Sequence, residues 1–94
     1  MNLTIRHYRC VVALADTRNY HRAAEMHGIS HTNICAVIKR VSEMTGLVLF
    51  RRDGNRMEVT DEGAMFVAAA RDIVESHDDM LAHYGIGKKQ TVAA

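Results

Sequence analysis

The sequence runs to 94 residues, 48% hydrophobic and 24% charged, with a formal net charge of +1. This is the composition of one small folded domain, near the size where a single core is barely sufficient, so pairing with a second chain is expected. No apolar run is long enough to span a bilayer and no leader pattern follows Met1, which argues against export and membrane spanning and for the cytoplasm.

Two cysteines, Cys10 and Cys35, form no CxxC and no disulfide framework. Six histidines raise the question of a metal. His27, His31 and Cys35 recur every four residues, yet Gly28 and Ser30 break the helix that would align them, so no metal and no cofactor is expected. The charge is unevenly spread. From Arg18 to Arg56 seven basic residues stand against three acidic ones, a net +4, whereas from Met57 to Tyr84 one basic residue stands against seven acidic, a net −6. Such a chain can offer a basic surface to a polyanion while staying nearly neutral overall.

In chain order, Ile5, Tyr8, Val11, Val12 and Ala15 fall at intervals of three and four, which predicts a first helix from Leu3 to Ala15 with that face buried. Asp16 to Asn19 reads as a polar turn, with Asn19 as N-cap of a second helix from Tyr20 to His27. Ala23 and Ala24 are small enough for another helix to cross closely. Gly28 suits the left-handed conformation that ends a helix. Ile29 points to the core, and Ser30 caps a third helix, His31 to about Met44. Its stripe of Ile34, Val37, Ile38 and Val41 is structural, which leaves the other faces for recognition. Gly46 closes it.

Leu47 to Phe50, then Arg51 and Arg52, and the run Met57 to Val59 read as two strands about an Asp53–Gly54 turn, a small wing over residues 50–59. Thr60 caps a last helix, from about Asp61 to Tyr84, with Asp61 and Glu62 placed where the helix dipole favours them. Val67, Ala70, Val74, His77, Leu81 and Tyr84 form one apolar row, and Phe66, Ile73 and Met80 a second. One edge can cover the domain's own core while the other pairs with a second copy. The remaining GIGKKQTVAA has no periodicity and reads as a flexible tail.

A helix, a glycine turn and a helix with a polar start make the helix-turn-helix pattern, whose second helix enters the major groove. The stretches RAAEMHGIS, HTNICAVIKRVSEMTG, LVLFRR and VTDEGAMF together resemble the amino-terminal domain of the LysR-type transcriptional regulators, over Leu3 to about Tyr84. The resemblance implies a mainly α fold: a winged helix-turn-helix over 1–59, a long dimerisation helix over 60–84, and the tail over 85–94. It also implies a homodimer on double-stranded DNA, at an interrupted inverted repeat.

The chain departs from the family at His31 and Thr32, where glutamine and proline are usual, at Cys35 and Ala36, where serine and often arginine stand, and at Val48, usually proline. Docking geometry is expected to survive these changes, but the family's base preferences are not carried over. The charge of His31 would make affinity depend on pH near neutrality. Family members also carry a larger effector-binding domain. The unpatterned ending favours a complete short protein over a fragment of a longer regulator.

His31, Thr32, Asn33, Cys35 and Ala36 are expected to face bases, with Arg22, Ser30, Lys39 and Arg40 on phosphates and Arg51, Arg52, Asn55 and Arg56 placing the wing. The dimer surface is expected at Phe66, Val67, Ala70, Ile73, Val74, His77, Met80, Leu81 and Tyr84. A rival reading is a protein-interaction module that heterodimerises with a full-length regulator and modulates it. An enzyme is not expected, because no nucleophile–base pair, carboxylate pair or phosphate loop stands at catalytic spacing.

Overall fold

The structure, a computed structural model, describes residues 2–85. The tail expected from residue 85 onward falls, apart from Gly85, outside the described residues. The elements are α1 (Ile5–Thr17), α2 (Tyr20–His27), α3 (His31–Thr45), β1 (Phe50–Asp53), β2 (Arg56–Val59) and α4 (Asp61–His83).

The first helix is displaced from its expected bounds. It starts at Ile5, where the backbone N–H of Thr4 donates to His7 Nδ1 at 2.9 Å, and it ends after Thr17 with Arg18 in the left-handed region at φ 60°. Asp16 therefore belongs to the helix, and the turn shrinks to Arg18 and Asn19. The buried set is also different, consisting of Cys10, Val11, Ala13 and Leu14, while Ile5, Tyr8, Val12 and Ala15 are only half-buried. The reason is that α1 is packed by α2, α3, α4 and β2 together, so it buries more than the single stripe its periodicity announces.

Leu14, Ile34, Leu49, Val11, Val41 and Cys10 are the largest fully buried side chains and form the centre of the core. Each large aliphatic one contributes about 1.5–3 kcal/mol by leaving water. Val67, on α4, packs into the same cluster.

Between α3 and the hairpin, Leu47 to Leu49 lie outside the strand expected to begin there, and only Phe50 enters the ladder. This connection is pinned from α4. The Val48 N–H donates to Glu62 at 2.6 Å, the Thr60 hydroxyl donates to the Val48 carbonyl, and the Thr60 N–H donates to the Leu49 carbonyl at 2.9 Å. Gly63 follows because nothing larger fits. A Cβ there would stand 2.8 Å from the Leu49 carbonyl oxygen and 2.9 Å from its Cα.

The two strands pair antiparallel, Phe50 with Val59 through Asp53 with Arg56. The turn is therefore Gly54–Asn55, one residue later than expected. Gly54 has φ 63° and Asn55 does not have positive φ, the pattern that places glycine at the first central position of a type II′ hairpin turn. Asp53 is a strand residue because its register partner is Arg56.

Candidate nucleic-acid interface

The α2–α3 unit is built from local signals. The Asn19 side chain accepts from the Arg22 N–H at 3.0 Å and starts α2. Ala23 and Ala24 are buried where α1 and α3 pack on α2. Gly28, at φ 63°, turns the chain, and the Ile29 N–H then donates to the Ala24 carbonyl at 3.1 Å. The Ser30 hydroxyl oxygen accepts from the Asn33 N–H at 3.1 Å and starts α3. Satisfying a helix's first amides in this way is worth about 1 kcal/mol at each cap.

Ile34, Ile38 and Val41 are buried and set the angle of α3, with Val37 half-buried beside them. His31, Thr32, Asn33, Ala36, Lys39 and Arg40 are exposed, and Cys35 is half-buried. Helical spacing puts Thr32, Ala36 and Lys39 along the line opposite the core. His31 and Cys35 lie on a flank. There the His31 ring stacks on His21, with centroids 4.3 Å apart and planes at 21°, and meets the edge of Tyr20 at 5.7 Å. The Cys35 Sγ is 3.8 Å from His31 Nε2. Burial pushes the Cys35 thiol up and Arg52 opposes the shift; burial also pushes the Tyr20 hydroxyl up.

This flank opens on a cleft of about 140 Å³ lined by Asn19, Tyr20, His21, His31, Arg52, Asn55 and Met57. The hairpin thus stands beside the first turn of α3. Its residues Arg51, Arg52, Asn55 and Arg56 are all exposed, as is Arg22 on α2.

Tyr20 and His21, which are not among the residues expected at the interface, line this cleft. The available signal was their place in the first turn of α2, beside the first turn of α3 in any helix-turn-helix, whereas the periodicity of an eight-residue helix does not reveal it. Arg18, the first of the seven basic residues from Arg18 to Arg56, donates to Glu58 at 2.9 Å, and its carbonyl accepts from the Met57 N–H at 2.9 Å. It anchors the wing to the end of α1. Although His31 and Cys35 touch, His27 lies across Gly28, and among the described residues no three His, Cys, Asp or Glu side chains are grouped so as to hold a metal ion.

The apolar rows of α4 diverge. Val67 and Ala70, expected at the dimer surface, are instead 6% and 1% exposed in the chain's own core. Val74, His77 and Leu81 are half-buried, and so is Phe66, whose ring lies 6.2 Å from that of Tyr8. Ile73, Met80 and Tyr84 are 43%, 53% and 70% exposed. Two ion pairs fix the helix on α1: Arg71 with Asp16 at 2.7 Å, and Arg9 with Asp78. The Arg9 guanidinium holds the Asp78 carboxyl below its usual value.

Three packed helices, a two-stranded hairpin and a long final helix define a winged helix-turn-helix of the regulatory type. The description "Bacterial regulatory helix-turn-helix protein, lysR family" matches residues 5–64, and the chain belongs to that family. Among relatives, the HTH-type transcriptional regulator BudR of Klebsiella aerogenes is 37% identical over 79 residues, covering 84% of this chain and 55% of BudR. The chain thus spans about half the length of that relative, and less than a third of YcgK from Bacillus subtilis and YnfL from Escherichia coli. Among solved structures, BenM_DBD in complex with catB site 1 DNA superposes with a TM-score of 0.78 at 25% identity, covering 85% of this chain and 86% of that one. Full-length OxyR from Pseudomonas aeruginosa gives 0.82 at 25% identity, covering 94% of this chain and 30% of OxyR.

Proposed function

We propose that the chain regulates transcription by binding double-stranded DNA sequence-selectively as a homodimer, on an interrupted inverted repeat. Segment 31–44 of α3 enters the major groove, where Thr32 and Ala36 approach base edges from the outward side, Asn33 from one flank and Cys35 from the other, with His31 beside the cleft. Arg22, Ser30, Lys39 and Arg40 hold phosphates, while Arg51, Arg52, Asn55 and Arg56 set the wing 50–59 on the backbone or in a minor groove. The observation that carries this reading is the shared cleft, which sets Arg52 and Asn55 of the hairpin beside His31 in the first turn of α3. Arg22, Lys39, Arg51, Arg52 and Arg56 enter no ion pair among the described residues, so their charge is available to a polyanion. The DNA complex of BenM_DBD, which shares the fold, supports it.

A second copy pairs along α4 through the exposed row of Ile73, Met80 and Tyr84, with Phe66 at its edge. Two copies bring two reading helices to one duplex, and a twofold protein reads a twofold site. The same row would serve a chain that pairs with a full-length regulator instead.

The test is selection of bound duplexes from a random pool, followed by titration against salt. Lys39→Ala and Arg52→Ala should weaken binding equally on all sequences and lower the salt slope by about one each. Binding without salt dependence refutes the electrostatic part, and failure of the chain alone to retain any duplex favours the interaction module.

A further inference from the structure

The cleft between α2, α3 and the wing holds a pair of groups that shape readout alone does not require. His21 and His31 come from different helices, are both exposed, and stack face to face at 4.3 Å. The titratable and charged groups facing them are Tyr20 from α2, Cys35 from α3 and Arg52 from β1. Asn19, Asn55 and Met57 complete the lining, and no carboxylate is among the lining residues. None of the lining residues supplies an anion to the two stacked imidazoles and the arginine beside them. A phosphodiester at the mouth of the cleft would supply one, within reach of ring N–H donors and the Arg52 guanidinium.

We propose that the stacked His21–His31 pair, with Arg52, is a proton-linked clamp for a DNA backbone phosphate. Seating the phosphate in this cleft is coupled to proton uptake by the pair. This inference rests on the DNA-binding reading above and deepens it by giving the interface a pH response and by assigning His21 a contact. Because the bound state holds more protons than the free one, affinity falls as pH rises. The stack joins the two rings in one cleft, so the pair acts as a unit.

The experiment uses the whole chain and a labelled duplex recovered by it from a random pool, titrated at fixed salt near pH 6 and pH 8. The wild-type chain should bind about tenfold tighter at the lower pH, the effect of a one-unit shift on a single group. His21→Gln and His31→Gln should each reduce that ratio below about twofold, and His27→Gln, on the far end of α2, should keep it. Calorimetry of the wild-type chain in two buffers of different ionisation heat should show net proton uptake on binding, a readout that does not depend on how any variant folds. Equal affinity at both pH values with no proton uptake overturns the clamp and leaves DNA binding standing. Loss of the ratio in His27→Gln instead of the pair also overturns it. A chain that retains no duplex at either pH overturns both readings.

Discussion

Gly63→Ala sets two local rules against each other. Gly63 lies in the first turn of α4, and its N–H donates to the Thr60 hydroxyl oxygen at 3.0 Å. Helix propensity alone predicts that alanine stabilises such a position by about 0.5–1 kcal/mol. The structure predicts the reverse. The added Cβ would meet the Leu49 carbonyl oxygen at 2.8 Å, the Leu49 Cα at 2.9 Å and the Thr60 hydroxyl at 3.0 Å. Two of these are backbone atoms of a fully buried residue whose carbonyl is already held by the Thr60 N–H. They can yield only if α4 lifts away from the Leu47–Leu49 connection.

Over-packing of this kind costs about 1–3 kcal/mol. With both effects at the middle of their ranges, the net loss is about 1 kcal/mol, or roughly 4–8 °C in unfolding midpoint for a domain of this size. Thermal unfolding at a fixed protein concentration measures it, since any dimer would make the midpoint depend on concentration. A midpoint equal to or above that of the wild-type chain would refute the close-approach argument and leave propensity as the governing term.

The remaining expectations concern the interface, the pairing face and an ion pair. Asn33→Ala should change which duplex is preferred, by about 1–3 kcal/mol at one base pair, and an unchanged ranking across a randomised site library counts against that contact. Ile73→Glu should leave the fold intact, since Ile73 is 43% exposed, but should yield monomers in sedimentation and weaken binding to a two-half-site duplex by roughly a hundredfold or more. A persistent dimer would place the pairing face elsewhere. The Asp78 carboxyl, held low chiefly by its hydrogen bond to Arg9, contributes stability at neutral pH that is lost as pH falls below the ordinary aspartate range, about 3.9. Arg9→Met should therefore flatten the decline of the unfolding midpoint on acidification, and an unaltered decline would mean that other carboxylates govern it.

What the sequence determined by itself were the features whose physics is local. Asn19, Ser30 and Thr60 were legible as caps because each acts on an amide three residues ahead. Gly28 was legible as a turn because its backbone demand is its own, and the stripe of α3 because α1 and α2 both pack on the same side of it. Tertiary structure decided whatever depends on who the neighbours are. It buried Cys10 and Ala13 by surrounding α1, took Val67 and Ala70 into the core, and left Ile73 and Met80 outside it. It joined Arg18 to Glu58 across forty positions of chain and moved the wing turn to Gly54–Asn55 through strand register. It also brought His21 against His31, a contact between two helices whose individual periodicities carry no sign of it, because packing angle and not spacing along the chain sets which side chains meet.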